Sequence, residues 1–253
     1  MSSSIGHPRH AVILAAGRGS RLRPLTNDLP KPLVAVNGVP ILHNALRCLA
    51  QAGVRRSTIV VGYRADVIRL SCGKNFAGMS IEYVESSAFE RTGTAYSTWM
   101  ARDGLATEDT LLLEGDVYFD PEVLFKLCDD PSRDAAAVLP FTPAMSGSAV
   151  AIDPSGLISG FRANLEYHDT MGAALYKTAN IMRFSVDTSA AILLPALDQL
   201  VAMGETKNSI EQLLNHLIQG SNWPLRAVIC DGLRWFEIDS VGDLGIASAL
   251  FAN

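Results

Sequence analysis

The chain has 253 residues, 48% hydrophobic and 19% charged, enough to bury a substantial α/β core in one domain. A formal net charge of −5 and a pI near 5.5 exclude a globally basic field, so neither nucleic-acid backbone nor an anionic membrane is an expected partner, and any phosphate must be held by local groups. Cys48, Cys72, Cys128 and Cys230 form no C-x-x-C pair and read as reduced thiols rather than a zinc site, and with no apolar run of spanning length and no secretory leader the expected location is the cytoplasm.

In chain order, Ala11-Val12-Ile13-Leu14 is a short continuous apolar run ending at glycines, the pattern of a strand buried on both faces of a parallel sheet. Residues 40–53 follow a helical period through Ile41, Leu42, Ala45, Leu46 and Leu49. Residues 58–62 predict a second strand, 64–71 a helix, 80–84 a third strand, 93–102 a helix start and 110–116 a fourth strand. This alternation predicts a doubly wound, mostly parallel mixed sheet flanked by helices, Rossmann-like, with its ligand crevice at the carboxyl ends of the strands. The second half is less regular. Strands are expected at 135–141, 149–152, 175–184, 225–229 and 235–238, and helices at 187–203, 209–219 and 240–251. The whole chain is read as a single unit, with 11–118 as a nucleotide-binding half and 119–253 as an acceptor-binding and metal-completing half.

The loop Leu14-Ala15-Ala16-Gly17-Arg18-Gly19-Ser20-Arg21-Leu22 carries little bulk where the first strand turns, so several amide N–H groups can converge on an anion. It is not the dinucleotide fingerprint, whose third glycine would fall on Leu22, nor a Walker loop, because no Gly-Lys-Ser or Gly-Lys-Thr follows. The glycines alone fit a ligand-free tight turn equally well. The clustered cations Arg18, Arg21 and Arg23, followed by Lys31 held between Pro30 and Pro32, favour a triphosphate, whose binding and departing charge both require fixed positive groups.

Carboxylates at strand ends supply the other half of a phosphate site. Glu114-Gly115-Asp116 closes the fourth strand, and Glu237-Ile238-Asp239 places two more on one strand face. Magnesium takes oxygen ligands and often needs only one or two carboxylates beside substrate phosphates, a demand that Asp116 with Asp239 meets, with Glu237 as a further ligand. The tract holding Ser86, Thr92, Gly93, Thr94 and Ala95 offers groups for a nucleobase edge, or an ordinary helix N-cap. Lys177, in an otherwise apolar strand, points to function because an unpaired buried ammonium is costly.

The run from Leu14 to Thr26 followed by Pro30-Lys31-Pro32-Leu33 resembles the signature of the nucleotidyltransferase superfamily that activates sugar phosphates and phosphocholine, a fold of the nucleotide-diphospho-sugar transferase type. The resemblance implies that the loop wraps the triphosphate, that Arg21 and Lys31 contact donor phosphates, and that Asp116 and the late Glu237-x-Asp239 pair hold Mg2+. It further implies that the 85–98 tract lies over the base, with Gly62 and Tyr63 near it. Glu114-Gly115-Asp116-Val117-Tyr118-Phe119 and Tyr176-Lys177-Thr178-Ala179-Asn180-Ile181 are similar to the CTP-using branch, implying that Lys177 lies near the reacting phosphoryl groups and that Tyr118 and Asn180 belong to the acceptor side.

In the stretch 141–183 and directly after it, Phe141, Phe161, Tyr167, Tyr176 and Phe184 would serve a choline cage or a plain core, whereas Arg162, His168, Lys177 and Arg183 suit an acidic acceptor. The expected partners are CTP and a small phosphonate, such as 2-aminoethylphosphonate, phosphonoformate or hydroxyethylphosphonate, in preference to phosphocholine. A sugar-1-phosphate acceptor and a non-catalytic nucleotide sensor are the alternatives, and a homodimer is admitted.

Overall fold

A computed structural model of the chain describes residues 7–170, 174–221 and 223–252. Its main elements in chain order are β1 (His10–Ala15), α1 (Ile41–Gln51), β2 (Arg56–Val61), α2 (Ala65–Cys72), β3 (Met79–Glu85), α3 (Thr94–Met100), β4 (Thr110–Glu114), β5 (Val117–Phe119), α4 (Glu122–Asp129), β6 (Ala135–Pro140), β7 (Ser146–Ile152), β8 (Ile158–Glu166), β9 (Leu175–Phe184), α5 (Leu194–Ala202), α6 (Ile210–Ser221), β10 (Arg226–Ile229), β11 (Trp235–Glu237) and α7 (Val241–Leu250).

Strands β3, β2, β1 and β4 pair in parallel. The ten-stranded sheet continues antiparallel through β9 to β7 and β8, while β6 pairs with β9 and β10. Most strands run one way, so the mixed, mostly parallel sheet flanked by helices is as expected.

Period-two alternation divides each central strand between two cores. From β1, Ala11, Ile13 and Ala15 join α1, α2 and α4 on one face. Val12 and Leu14 turn to α3, α5 and α6 on the other. Both faces of β1 are therefore apolar, and its strand-end loop is fixed from both sides.

The strand β9 changes partner midway. Ile181–Phe184 pair with β4, while Leu175–Lys177 pair with β7. At the break, Asn180 adopts φ +56°, a conformation that asparagine tolerates better than most residues, and the pairing with β6 slips between Thr178 and Met182. The sheet splits there. Opposite the split, β11 pairs antiparallel with β5, and the Ile238 amide donates to the Asp116 carbonyl at 2.9 Å, which brings the chain end to the end of β4.

Two expectations differ in detail. The helix expected over 187–203 is composite, with a π-helical stretch at Ser189–Leu193 before α5, where Pro195 in the first turn has no N–H to continue the ladder. Strand β8 has no counterpart among the expected elements, because its serine, glycine, arginine and asparagine obscure alternation. All four cysteines are free and buried, and burial pushes the Cys48 and Cys72 thiols up to about 12, consistent with inert packing residues. Among the described residues no helix is long and apolar enough to cross a membrane.

Candidate functional site

The glycine loop leaves the end of β1, where Gly19 sits at φ +65°, and the Leu22 amide closes a tight turn on the Gly19 carbonyl. That carbonyl also accepts from the Thr26 hydroxyl at 2.8 Å. A Cβ on Gly19 would stand 2.5 Å from the Cβ of Lys31, so only glycine lets the loop pass this close to the lysine. A cavity of about 330 Å³ opens over the loop. Leu14, Ala15, Gly17, Gly19, Ser20 and Arg21 line it, and Lys31, Thr94, Glu114, Asp116 and Asp239 complete the wall.

At its centre Lys31 bridges two aspartates from distant parts of the chain, with Nζ 2.8 Å from Asp116 Oδ2 and 2.6 Å from Asp239 Oδ1. Arg21 reaches the same Asp239 oxygen at 2.9 Å. Burial alone would lower the Lys31 pKa, but the two carboxylates outweigh it and hold the ammonium above its ordinary value. Burial likewise pushes Asp239 up, and Lys31 and Arg21 more than reverse this, keeping it below the usual carboxylate range. The cluster is charged and tightly paired.

A second carboxylate group adjoins it. Oxygens of Glu114, Asp116 and Glu237 lie within 4.8 Å of one another, and Asp116 Oδ1 is buried without a hydrogen-bond partner. Burial first, then the charges of Glu211, Asp116 and Glu237, drive Glu114 well above the usual range; burial also raises Glu237. Such crowding calls for a cation, and an all-oxygen set with one unused buried lone pair fits a divalent ion such as Mg2+. Asp116 and Glu237 would contribute to it. Asp239 borders the group but engages Lys31 and Arg21, and Glu114, outside the metal-ligand set expected from sequence, joins the cluster.

Lys177 lies beneath the sheet split, 1% exposed, with Nζ 2.7 Å from Glu237 Oε2 but not directed for a hydrogen bond to it. Asn180 donates from Nδ2 to Glu237 Oε1 at 2.9 Å. The unusual backbone of Asn180 thus aims its amide at the carboxylate paired with Lys177. A cavity of about 560 Å³ lies on this side, sharing Arg21, Thr94, Glu114 and Asp239 with the first, so the two spaces meet at the charged centre.

Other expected residues stand elsewhere. Tyr118 lines neither cavity: alternation along β5 turns its ring to a small core with Leu22, Ile41 and Phe236, edge-on to Phe251. Arg183, expected to suit an acidic acceptor, is buried and donates to the backbone carbonyls of Cys128, Asp130 and Ser132, so it ties β9 to the loop after α4. Phe184 packs in the core against Trp223, and Phe161 and Tyr176 pack on the same core.

Arg18 pairs with Glu90 at 2.8 Å and lies over the Tyr63 ring. Ala16 accepts from the Tyr63 amide, and a Cβ on Gly62 would stand 2.7 Å from that Ala16 carbonyl oxygen, so these two loops touch behind the cavity. Thr92 donates to Ala88, the Gly93 amide to Thr206, the Ala95 amide to Asn208, and the Thr94 hydroxyl accepts from Ile210. Gly93, Thr94 and Ala95 therefore anchor the loop before α6, while Thr92 closes its own turn. The Ser86 hydroxyl is buried without a partner.

The profile of the nucleotidyl transferase family matches residues 10–143, which carry the glycine loop, Lys31 and Asp116. The chain belongs to this family. A CMP-5'-(3-aminopropyl)phosphonate synthase of Streptomyces rubellomurinus is 35% identical over 93% of the chain and 38% of its own length. A 2-aminoethylphosphonate cytidylyltransferase of Lancefieldella rimae is 32% identical over 59% of the chain and 58% of its own length. The chain spans well under two thirds of the length of these curated relatives. Among solved structures, the fold matches the inositol-1-phosphate CTP transferase from T. maritima, at a TM-score of 0.75 and 22% identity over 97% of each chain. It also matches the CTP:phosphocholine cytidylyltransferase from Streptococcus pneumoniae, at a TM-score of 0.78 and 20% identity over 96% of this chain and 100% of that one. This member of the nucleotidyl transferase family thus presents its charged centre between two joined cavities.

Proposed function

We propose that this nucleotidyl transferase moves CMP from CTP to a small phosphonate or phosphomonoester, with release of pyrophosphate. The observation that carries the reading is the junction of Lys31, Arg21, Asp116 and Asp239, which lies where the glycine-loop cavity opens into the second cavity. Residues 11–118 would hold the nucleotide and 119–253 would supply the acceptor side and complete the metal site.

In this mechanism an acceptor oxygen, already ionised near neutral pH, forms a bond to the α-phosphorus as the bond to the β-phosphate bridging oxygen breaks. No general base is needed, so catalysis is positioning and neutralisation of migrating charge. Arg21 and Lys31 steady the departing pyrophosphate, and Lys177, oriented through Glu237, draws acceptor and α-phosphate together. Asp116 and Glu237, with Asp239 and Glu114 alongside, would hold Mg2+, which would supply Lewis-acid charge to the transferring phosphoryl group.

Cytosine and phosphonate are favoured because the relative whose similarity runs through the acceptor half bears a CMP-phosphonate name. Relatives named for sugar phosphates match over shorter spans, such as the UTP–glucose-1-phosphate uridylyltransferase of Haloferax volcanii at 38% identity over 44% of the chain. Lining residues of the second cavity include no aromatic side chain among the described residues, which speaks against a choline cage. The test is pyrophosphate release with each of four nucleoside triphosphates against a panel of phosphonates, phosphocholine and sugar 1-phosphates. CTP with a phosphonate is the expected pair. UTP or dTTP with glucose 1-phosphate would replace this reading by the sugar-activating one, and tight CTP binding without turnover would replace it by a sensor.

A further inference from the structure

The second cavity holds more negative charge than the proposed chemistry uses. Lys177 pairs with Glu237, and Lys31 with Arg21 pairs with Asp239. Glu211 has no such partner. The residue is 6% exposed and lines the cavity, its oxygens are open to that space rather than sealed, and among the described residues its carboxylate accepts no hydrogen bond and joins no ion pair. Its charge bears directly on the equally unpaired Glu114 across the space.

Glu211 stands in the first turn of α6, where a carboxylate commonly complements the helix N-terminus. That need is already met. The Ser209 amide donates to Gln212 Oε1 at 2.8 Å, the Gln212 amide donates to Ser209 Oγ at 3.3 Å, and the Ile210 amide donates to the Thr94 hydroxyl at 2.9 Å. This is a complete capping box with an added side-chain cap. A largely buried carboxylate free of that duty, its oxygens open only to a cavity, is placed to meet a cation there.

Resting on the proposed phosphonate reading, we propose that Glu211 receives the primary ammonium of an ω-aminoalkylphosphonate acceptor, with its phosphonate end at the charged centre beside Arg21. A buried carboxylate binds a primary ammonium with directed, charge-assisted hydrogen bonds. A hydroxyl of the same length gives less, and a trimethylammonium has no N–H to donate. The residue therefore selects amino over hydroxy and carboxy phosphonates.

The experiment measures kcat/KM with CTP for 2-aminoethylphosphonate, 3-aminopropylphosphonate and 2-hydroxyethylphosphonate, in the full chain and in Glu211→Gln and Glu211→Asp. The wild type should prefer 2-aminoethyl over 2-hydroxyethyl by at least about thirtyfold, and Glu211→Gln should collapse that ratio to within about threefold. Glu211→Asp, with the carboxylate drawn back by one methylene, should move preference from the two-carbon toward the three-carbon amine. An unchanged ratio in Glu211→Gln, or an equal loss on all three acceptors with no shift in Glu211→Asp, overturns the assignment. A wild type that uses no phosphonate with CTP overturns the underlying reading as well, and that failure is seen before any variant is made.

Discussion

Replacing Lys31 by alanine tests the charged centre directly. The lysine is 12% exposed and its partners Asp116 and Asp239 are 18% and 25% exposed, so the pairs are poorly screened. Their short contacts are charge-assisted hydrogen bonds, and removing the cation leaves two aspartates facing one another with only Arg21 on one of them. Breaking a buried pair from one side costs about 3–5 kcal/mol. For a chain of this size that is roughly a 10 °C fall in melting temperature. Millimolar Mg2+ or Mn2+ would refill part of the lost positive charge, so much of the fall should be recovered when metal is added and reappear in chelator. Turnover should not return, because the ion cannot stand in for the phosphate contact proposed for Lys31; a loss of at least about a hundredfold in kcat is expected. Thermal melts with metal and with chelator, beside a pyrophosphate-release assay, read both effects. Melting unchanged in chelator, or turnover within tenfold of wild type, would refute the reasoning.

Asp116→Asn should lower turnover at least about a hundredfold, and chelator should abolish pyrophosphate release in the wild type; release that persists in chelator removes the metal from the chemistry. Lys177→Met leaves Glu237 buried without its cation and should cost about 3–5 kcal/mol, whereas the double change with Glu237→Gln should regain most of that stability without regaining activity. A double variant as unstable as the single one would show that the ion pair is not what Lys177 contributes.

The buried His10, hydrogen-bonded to Thr58 and Thr110, has its pKa lowered by burial and by Arg56 to about 4 from 6.5. The unfolded chain therefore takes up the proton first as pH falls. Stability from this group is complete above about pH 6.5 and declines by about 3 kcal/mol by pH 4. Urea midpoints over that range should fall more steeply for wild type than for His10→Gln, and equal slopes would dismiss the histidine as the cause.

Sequence alone carried the local statements. The apolar run of β1, the two glycines after it and the proline-flanked Lys31 are written in adjacent residues, because backbone freedom and strand burial are properties of a few neighbours. Glu114 and Asp116 at a strand end, and the alternation that gives Glu237 and Asp239 one face, were legible for the same reason. What lies across the fold was not. Lys31 is 85 residues from Asp116 and 208 from Asp239, and only the pairing of β11 with β5 brings them to one ammonium. Tyr118 and Arg183 look like site residues in a one-dimensional reading; the pleat turns one inward and nearby carbonyls satisfy the other. Glu211 looks like an ordinary helix-start carboxylate until Ser209 and Gln212 are seen to cap the helix without it. Which polar group is already satisfied depends on contacts between distant segments, and sheet register and packing set those contacts.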